Sequence, residues 1–134
     1  MDMEWIAEFS VGISGMDEQH RRFFSIIGGL RKGSSYKNEQ KALADSFRDL
    51  LSYANTHFAD EEQLMREHDY PELSRHELEH REFIESVTKF KDDFEAGAAP
   101  KPLILGSFMY NWLKDHIARS DKHYGRYLNS RGIK

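Results

Sequence analysis

Five of the seven histidines in this 134-residue chain stand at helix-compatible spacings with two carboxylates. They are His20, His57 with Glu61, His76 with His80, and His116 with Asp121. Imidazole is a common ligand for iron, zinc, copper and nickel, and a carboxylate can bridge two metal ions. An α-helix turns about 100° per residue, so side chains four apart point the same way. His57/Glu61 and His76/His80 both keep that spacing. A single histidine on an apolar face is usually a hydrogen-bonded core residue. Glu61 and Asp121 would each ordinarily be solvated, and burying either without a metal or a partner is costly. Seven such groups lying together on apolar stripes point instead to one buried metal centre.

Coordination arithmetic favours two ions. Two six-coordinate metals offer about 12 positions in the octahedral geometry usual for non-haem iron. Five imidazoles, two carboxylates that each bridge both ions, and one bridging oxygen leave about one position of those 12 open. That suits a small ligand. Seven protein ligands are too many for one transition-metal ion, and with no cysteine in the chain all of them offer nitrogen or oxygen.

The elements that must hold these groups are helices. Residues 1 to about 16 carry Trp5, Phe9, Val11 and Ile13 in no helical rhythm, which predicts an extended arm laid on apolar surface. Asp17 reads as an N-cap, followed by a first helix with His20, Phe23, Ile27 and Leu30 on one stripe. Gly28-Gly29 costs that helix about 1 kcal/mol per residue, so an early end or a close approach to a neighbour is expected. Gly33-Ser34-Ser35 reads as a loop.

The second helix is expected over residues 38–67, with Leu43, Phe47, Leu50, Ala54, His57, Glu61 and Leu64 three or four apart. His68-Asp69-Tyr70-Pro71 should end it, since the residue before proline avoids the helical region. The third helix places Leu73, His76, His80, Phe83, Val87, Phe90 and Phe94 on one face, and Gly97-Ala98-Ala99-Pro100 closes it. The fourth shows Leu105, Met109, Trp112 and His116, then Asp121, Tyr124 and Leu128. His116 and Asp121 are five apart, about 140° around an ideal helix, so a local π-type turn is predicted between them. Four such helices predict an all-α, up-down-up-down antiparallel four-helix bundle, residues 17–129, behind the arm 1–16, as one domain.

Composition agrees with a globular protein: 39% hydrophobic and 31% charged residues, with a formal charge of -4. There is no basic patch with interleaved aromatics of the kind that nucleic acid selects. No apolar run approaches the roughly 20 residues that span a bilayer, and the start lacks the basic and apolar regions of a secretory signal. A cytoplasmic protein is the expectation. His68, at the end of the second helix where a cation suits the dipole, and His123, off the inward stripe, are assigned no metal role. Tyr124 and Tyr127 read as packing, with a hydrogen bond from one of them near the site as the lesser alternative.

The motifs together resemble a known family. Met16-Asp17-Glu18-Gln19-His20, His57-Phe58-Ala59-Asp60-Glu61-Glu62 with Leu64-Met65, Tyr70-Pro71, His76-Glu77-Leu78-Glu79-His80, and Trp112-Leu113-Lys114-Asp115-His116-Ile117 with Asp121-Lys122 resemble bacterial hemerythrins. The resemblance covers nearly the whole chain and every ligand position of the family. It implies two iron ions, oxo- or hydroxo-bridged, that bind O2 reversibly and pass between diferrous and diferric-peroxo forms. It implies that His76, His80 and His116 serve one iron, that His20 and His57 serve the other, and that Glu61 and Asp121 bridge them. The second iron would take the O2.

Phe23, Phe58, Trp112 and Ile117 stand next to these ligands in sequence or one turn away, and are expected to line the O2 pocket and keep it dry. Ferritin-like di-iron oxidases supply roughly four glutamates and two histidines. Five neutral imidazoles with two carboxylates donate less charge, which favours carriage over oxidation chemistry. The expectation is therefore a non-catalytic carrier or store of O2, with a monomer favoured and an O2-consuming enzyme as a recipient. Sensing of O2 or nitric oxide, and a peroxidase or iron-handling role, are the alternatives.

Overall fold

The computed structural model describes residues 5–32, 39–97 and 102–134, with residues 30–32, 39–43 and 102–103 described by their backbone alone. The loop readings at 33–35 and 98–100 lie outside the described residues. Among the described residues there is no strand. The helices are α1 (Ser14–Lys32), α2 (Glu39–Glu67), α3 (Leu73–Glu95), α4 (Pro102–His116) and α5 (Lys122–Ser130). A π-helical turn, Ile117–Asp121, joins α4 to α5. His116 and Lys122, on either side of it, keep helical backbone angles, so α4, the turn and α5 form one continuous rod. The expected one-residue misfit between His116 and Asp121 is thus resolved where the spacing demanded it.

Four rods pack as an up-down-up-down bundle. Alternation of direction follows from which ends meet. Gln19, early in α1, bonds Asp60, late in α2. Glu62, late in α2, bonds His80, early in α3. At the opposite end Phe47 of α2 meets Phe94 of α3, with ring centres 5.8 Å apart. Phe90 of α3 meets Phe108 of α4 at 5.3 Å. Neighbouring helices therefore run antiparallel, as short connections between long helices require. Stripes three and four residues apart converge on a core that includes Phe23, Phe24, Ile27, Phe47, Leu50, Met65, Phe83, Val87, Leu105, Met109 and Leu113.

The start of α1 differs from the expectation. The helix begins at Ser14, three residues before Asp17, so Asp17 is not its N-cap. Its backbone N–H already bonds the Ile13 carbonyl at 2.9 Å. The Asp17 carboxylate turns back instead, accepting from the Val11 N–H at 2.8 Å and the Ser10 hydroxyl at 2.5 Å. This pins the arm, whose Phe9, Val11 and Ile13 are buried. A short 3-10 turn, Ala7–Phe9, lies between extended Ile6 and Ser10, and the chain bends again at Gly12, where φ is 78°. Gly28 and Gly29 do not end α1, which runs on to Lys32. A Cβ on Gly29 would meet nothing within 4 Å, so no close approach explains it.

After α2 the chain reverses at His68-Asp69, with Asp69 at a φ of 53°. The Tyr127 hydroxyl steadies that corner by donating to the carbonyls of His68 at 2.8 Å and Asp69 at 3.0 Å. Leu73 then opens α3 so that His76 and His80 face inward beside the end of α2.

Candidate metal centre

All seven groups singled out by spacing meet in the core at one level. His20, Glu61 and Asp121 are fully enclosed, and His57, His76, His80 and His116 are no more than 4% exposed. Every one of the five imidazoles turns its Nε2 toward the two carboxylates. Glu61 Oε1 lies 3.1 Å from His57 Nε2 and 3.3 Å from His80 Nε2. Glu61 Oε2 lies 3.2 Å from His20 Nε2. Asp121 Oδ1 lies 2.8 Å from His76 Nε2 and 3.1 Å from His116 Nε2, while its Oδ2 is 3.2 Å from His20 Nε2.

The π-helical turn is what allows the last of these. It brings Asp121 onto the face of His116, so one rod delivers both a nitrogen and a carboxylate. His57 and Glu61 share a face of α2 by the four-residue rule, as do His76 and His80 on α3. The ligand atoms fall into two groups, each able to hold one ion with atoms within 4.8 Å of one another. One comprises Glu61, His76, His80, His116 and Asp121; the other comprises His20, His57 and Glu61. Glu61 belongs to both, and Asp121 reaches the second through the His20 contact.

Apart from His20 Nε2 and Glu61 Oε2, which hydrogen-bond at 3.2 Å, these donor atoms do not satisfy one another. The Nε2 atoms of His57, His76, His80 and His116, Glu61 Oε1 and both Asp121 oxygens are buried without a hydrogen bond of acceptable angle. Buried polar atoms are normally paired, and seven unpaired ones gathered in one cluster form a donor set that suits cations. A cation fits them chemically, since two anionic and five neutral donors of nitrogen and oxygen suit a first-row transition metal.

Titration in the metal-free site reflects the same crowding. Burial pushes the His20 and His116 imidazoles down, but Asp121 and Glu61 outweigh it and raise them to about 9 and about 10. His80 is likewise raised against burial, by Glu61 and Glu62. Burial pushes Glu61 up, yet His57, His20 and His80 hold it well below the usual carboxylate range. Asp121 is pushed up by burial and by Glu61, and is held low by His116 and His20. Protons on the imidazoles thus occupy part of the role a cation would take.

Two of the outer nitrogens have hydrogen-bond partners that spacing did not reveal. His57 Nδ1 is 2.7 Å from Gln19 Oε1, and His80 Nδ1 is 2.8 Å from Glu62 Oε2. Glu79 Oε1 lies 3.7 Å from His116 Nδ1, an ion-pair distance rather than a hydrogen bond. The Ser120 hydroxyl fixes that carboxylate from 2.7 and 2.8 Å, and His116 holds Glu79 at about 2. Tyr124, read as packing with a hydrogen bond near the site as the lesser alternative, donates its hydroxyl to Glu61 Oε2. His123 is not part of the centre; its Nδ1 lies 2.5 Å from the Tyr70 hydroxyl.

Three of the four expected lining residues pack against ligand imidazoles, and the fourth, Ile117, is buried next to His116 in the chain. Phe58 stacks on His80 at 3.9 Å with 8° between planes, and Trp112 stacks on His116 at 4.6 Å and 14°. Phe23 sets its edge against His57 at 5.7 Å. Ile117 is wholly buried at the start of the π turn. Phe83 completes the wall between Phe23, Phe58 and Trp112, with ring centres 5.7, 5.8 and 4.5 Å away.

Comparison with known proteins agrees with this geometry. Residues 11–128 match the hemerythrin HHE cation-binding domain. A bacteriohemerythrin of Clostridium acetobutylicum is 31% identical over 126 residues, covering 90% of this chain and 96% of its own. One from Methylococcus capsulatus is 28% identical over 129 residues, covering 96% and 98%. A solved wild-type hemerythrin superimposes with a TM-score of 0.84 at 28% identity, over 91% of this chain and 94% of its own. A hemerythrin point mutant gives 0.87 at 27% identity, over 94% and 97%. With its bundle, its cluster of histidines and carboxylates and these relatives, the chain belongs to the hemerythrin family.

Proposed function

We propose that this chain holds two iron ions and binds O2 reversibly at them, as a carrier or store rather than a catalyst. The observation that carries this reading is the convergence of five imidazole Nε2 atoms on two carboxylates, one of which belongs to both ligand groups. His76, His80 and His116 would hold one ion and His20 and His57 the other, with Glu61 and Asp121 shared. The two irons, when bound, supply the electrons that O2 accepts on binding and returns on release.

The chain's own residues do the rest. Neutral imidazoles outnumber carboxylates, which favours a modest rather than an extreme oxidation state. Phe23, Phe58, Phe83, Trp112 and Ile117 wall the centre with apolar surface, which excludes water and the protons that would drive off a reduced oxygen species. Tyr124 fixes the orientation of Glu61 from one side. The Nδ1 partners Gln19 and Glu62 orient His57 and His80 so that their Nε2 atoms face inward.

An optical spectrum of the anaerobically reduced, iron-loaded protein tests this, taken before O2, with O2, and after its removal. A visible charge-transfer band that appears with O2 and disappears on its removal is the expected result. Irreversible bleaching, or sustained turnover of peroxide faster than free iron achieves, would defeat the carrier reading. His57→Ala should abolish the band while circular dichroism reports an intact helical fold.

A further inference from the structure

The two ligand groups differ in what stands behind their imidazoles. On the three-histidine side, His80 Nδ1 faces the Glu62 carboxylate at 2.8 Å, and Glu79 lies 3.7 Å from His116 Nδ1. On the two-histidine side, His57 Nδ1 faces an amide oxygen, Gln19 Oε1, at 2.7 Å. His20 Nδ1 is buried with no partner, and His116 Nδ1 likewise makes no hydrogen bond although Glu79 stands near it. An anionic acceptor draws the ring proton toward itself and makes the opposite nitrogen a stronger donor; a neutral amide does so less.

Gln19 cannot present its other face. Its Nε2 donates to Asp60 Oδ2 at 3.1 Å, and turning the amide over would set Oε1 against that carboxylate. The Tyr53 hydroxyl holds the Gln19 backbone carbonyl at 2.8 Å, and the Tyr53 ring lies within 4° of parallel to His57. With Oε1 fixed as an acceptor, His57 carries its proton on Nδ1 and leaves Nε2 free to point inward.

We infer that Gln19, locked by Asp60, is a positioning residue that keeps the metal position of His20 and His57 the electron-poorer of the two. The inference rests on the two-iron reading above. A one-electron oxidant then withdraws its first electron from the position held by His76, His80 and His116. The second electron comes from the position held by His20 and His57, which stays ferrous the longer.

The test moves one negative charge across one hydrogen bond. In Gln19→Glu with Asp60→Asn, a carboxylate faces His57 Nδ1 and an amide donates to it from position 60, at unchanged net charge. Wild-type and variant proteins are loaded anaerobically with ferrous iron and titrated with ferricyanide. Wild type should give two separated one-electron steps. A carboxylate partner that strengthens the hold on ferric iron about tenfold more than the hold on ferrous iron lowers a one-electron midpoint by about 59 mV. The second midpoint of the double variant should fall by about that much, with the first moving less. Asp60→Asn alone keeps the amide on His57 and should leave the second midpoint near wild type. In the zinc-loaded wild type, long-range 1H–15N NMR should find His57 protonated at Nδ1.

An unchanged second midpoint in the double variant overturns the inference while the two-iron reading stands. So does an equal shift of both midpoints, an equal shift in Asp60→Asn alone, or a His57 proton at Nε2. Fewer than two irons per wild-type chain overturns both.

Discussion

The Tyr124 hydroxyl donates to Glu61 Oε2 inside a space closed to solvent. Burial first, then the charges of Glu61 and Asp121, push its ionisation well above the usual tyrosine value, so it stays a donor at any pH the fold survives. Tyr124→Phe leaves a buried carboxylate one donor short, which costs about 1–3 kcal/mol in the metal-free protein. Urea unfolding should show a lower midpoint with an unchanged slope, while metal content stays equal to that of wild type. An unmoved midpoint would mean that Glu61 is satisfied without it. The seven inward groups were legible because histidine and carboxylate on an apolar stripe contradict their surroundings. Gln19, Glu62 and Glu79 were not, because each sits one residue from a ligand, about 100° around the helix. In a chain that is 31% charged, such a position looks like wet surface.

At the scale of elements, the π-helical turn was legible for a physical reason: two inward-facing groups five apart cannot share a face of an ideal helix. The arm's anchorage was not, because it depends on the Asp17 carboxylate turning back to Ser10 and Val11 and on the close approach of α5. Asp17 carried the composition of an N-cap but serves the arm instead. Gly125 of α5 carried no signal beyond being a glycine inside a helix. Its Cα lies so close to the arm that an added Cβ would collide with the Val11 carbonyl. That carbonyl is backbone, and the neighbouring Val11 N–H is tied to Asp17, so it cannot step aside cheaply. Gly125→Ala gains about 1 kcal/mol of helix propensity. The overpacking costs about 1–3 kcal/mol, so net destabilisation is expected. Amide hydrogen exchange should locate the loss in residues 9–13 and the start of α1. A variant more stable than wild type would show that the arm yields freely.

For the whole molecule, the centre is both the functional site and a large charge problem for the fold. In the metal-free protein His20 and His116 titrate at about 9 and about 10 instead of the ordinary 6.5. A raised folded-state value contributes stability that is complete below about 6.5 and is lost as pH rises through the folded value. Metal-free protein should therefore become less stable between pH 6.5 and 10. Metal loading must expel the same protons, so the ions hold more tightly as pH rises across that window. Ligation of the folded state alone adds stability that grows with affinity. The two trends oppose each other, and the gap in thermal midpoint between loaded and metal-free protein should widen from pH 6.5 toward pH 9. Calorimetry at fixed free metal checks it, and isothermal titration in buffers of different ionisation enthalpy should register proton release on loading. A gap that stays constant across the window would mean that the folded metal-free site holds no extra protons. The carboxylates would then be neutralised by something other than His20 and His116.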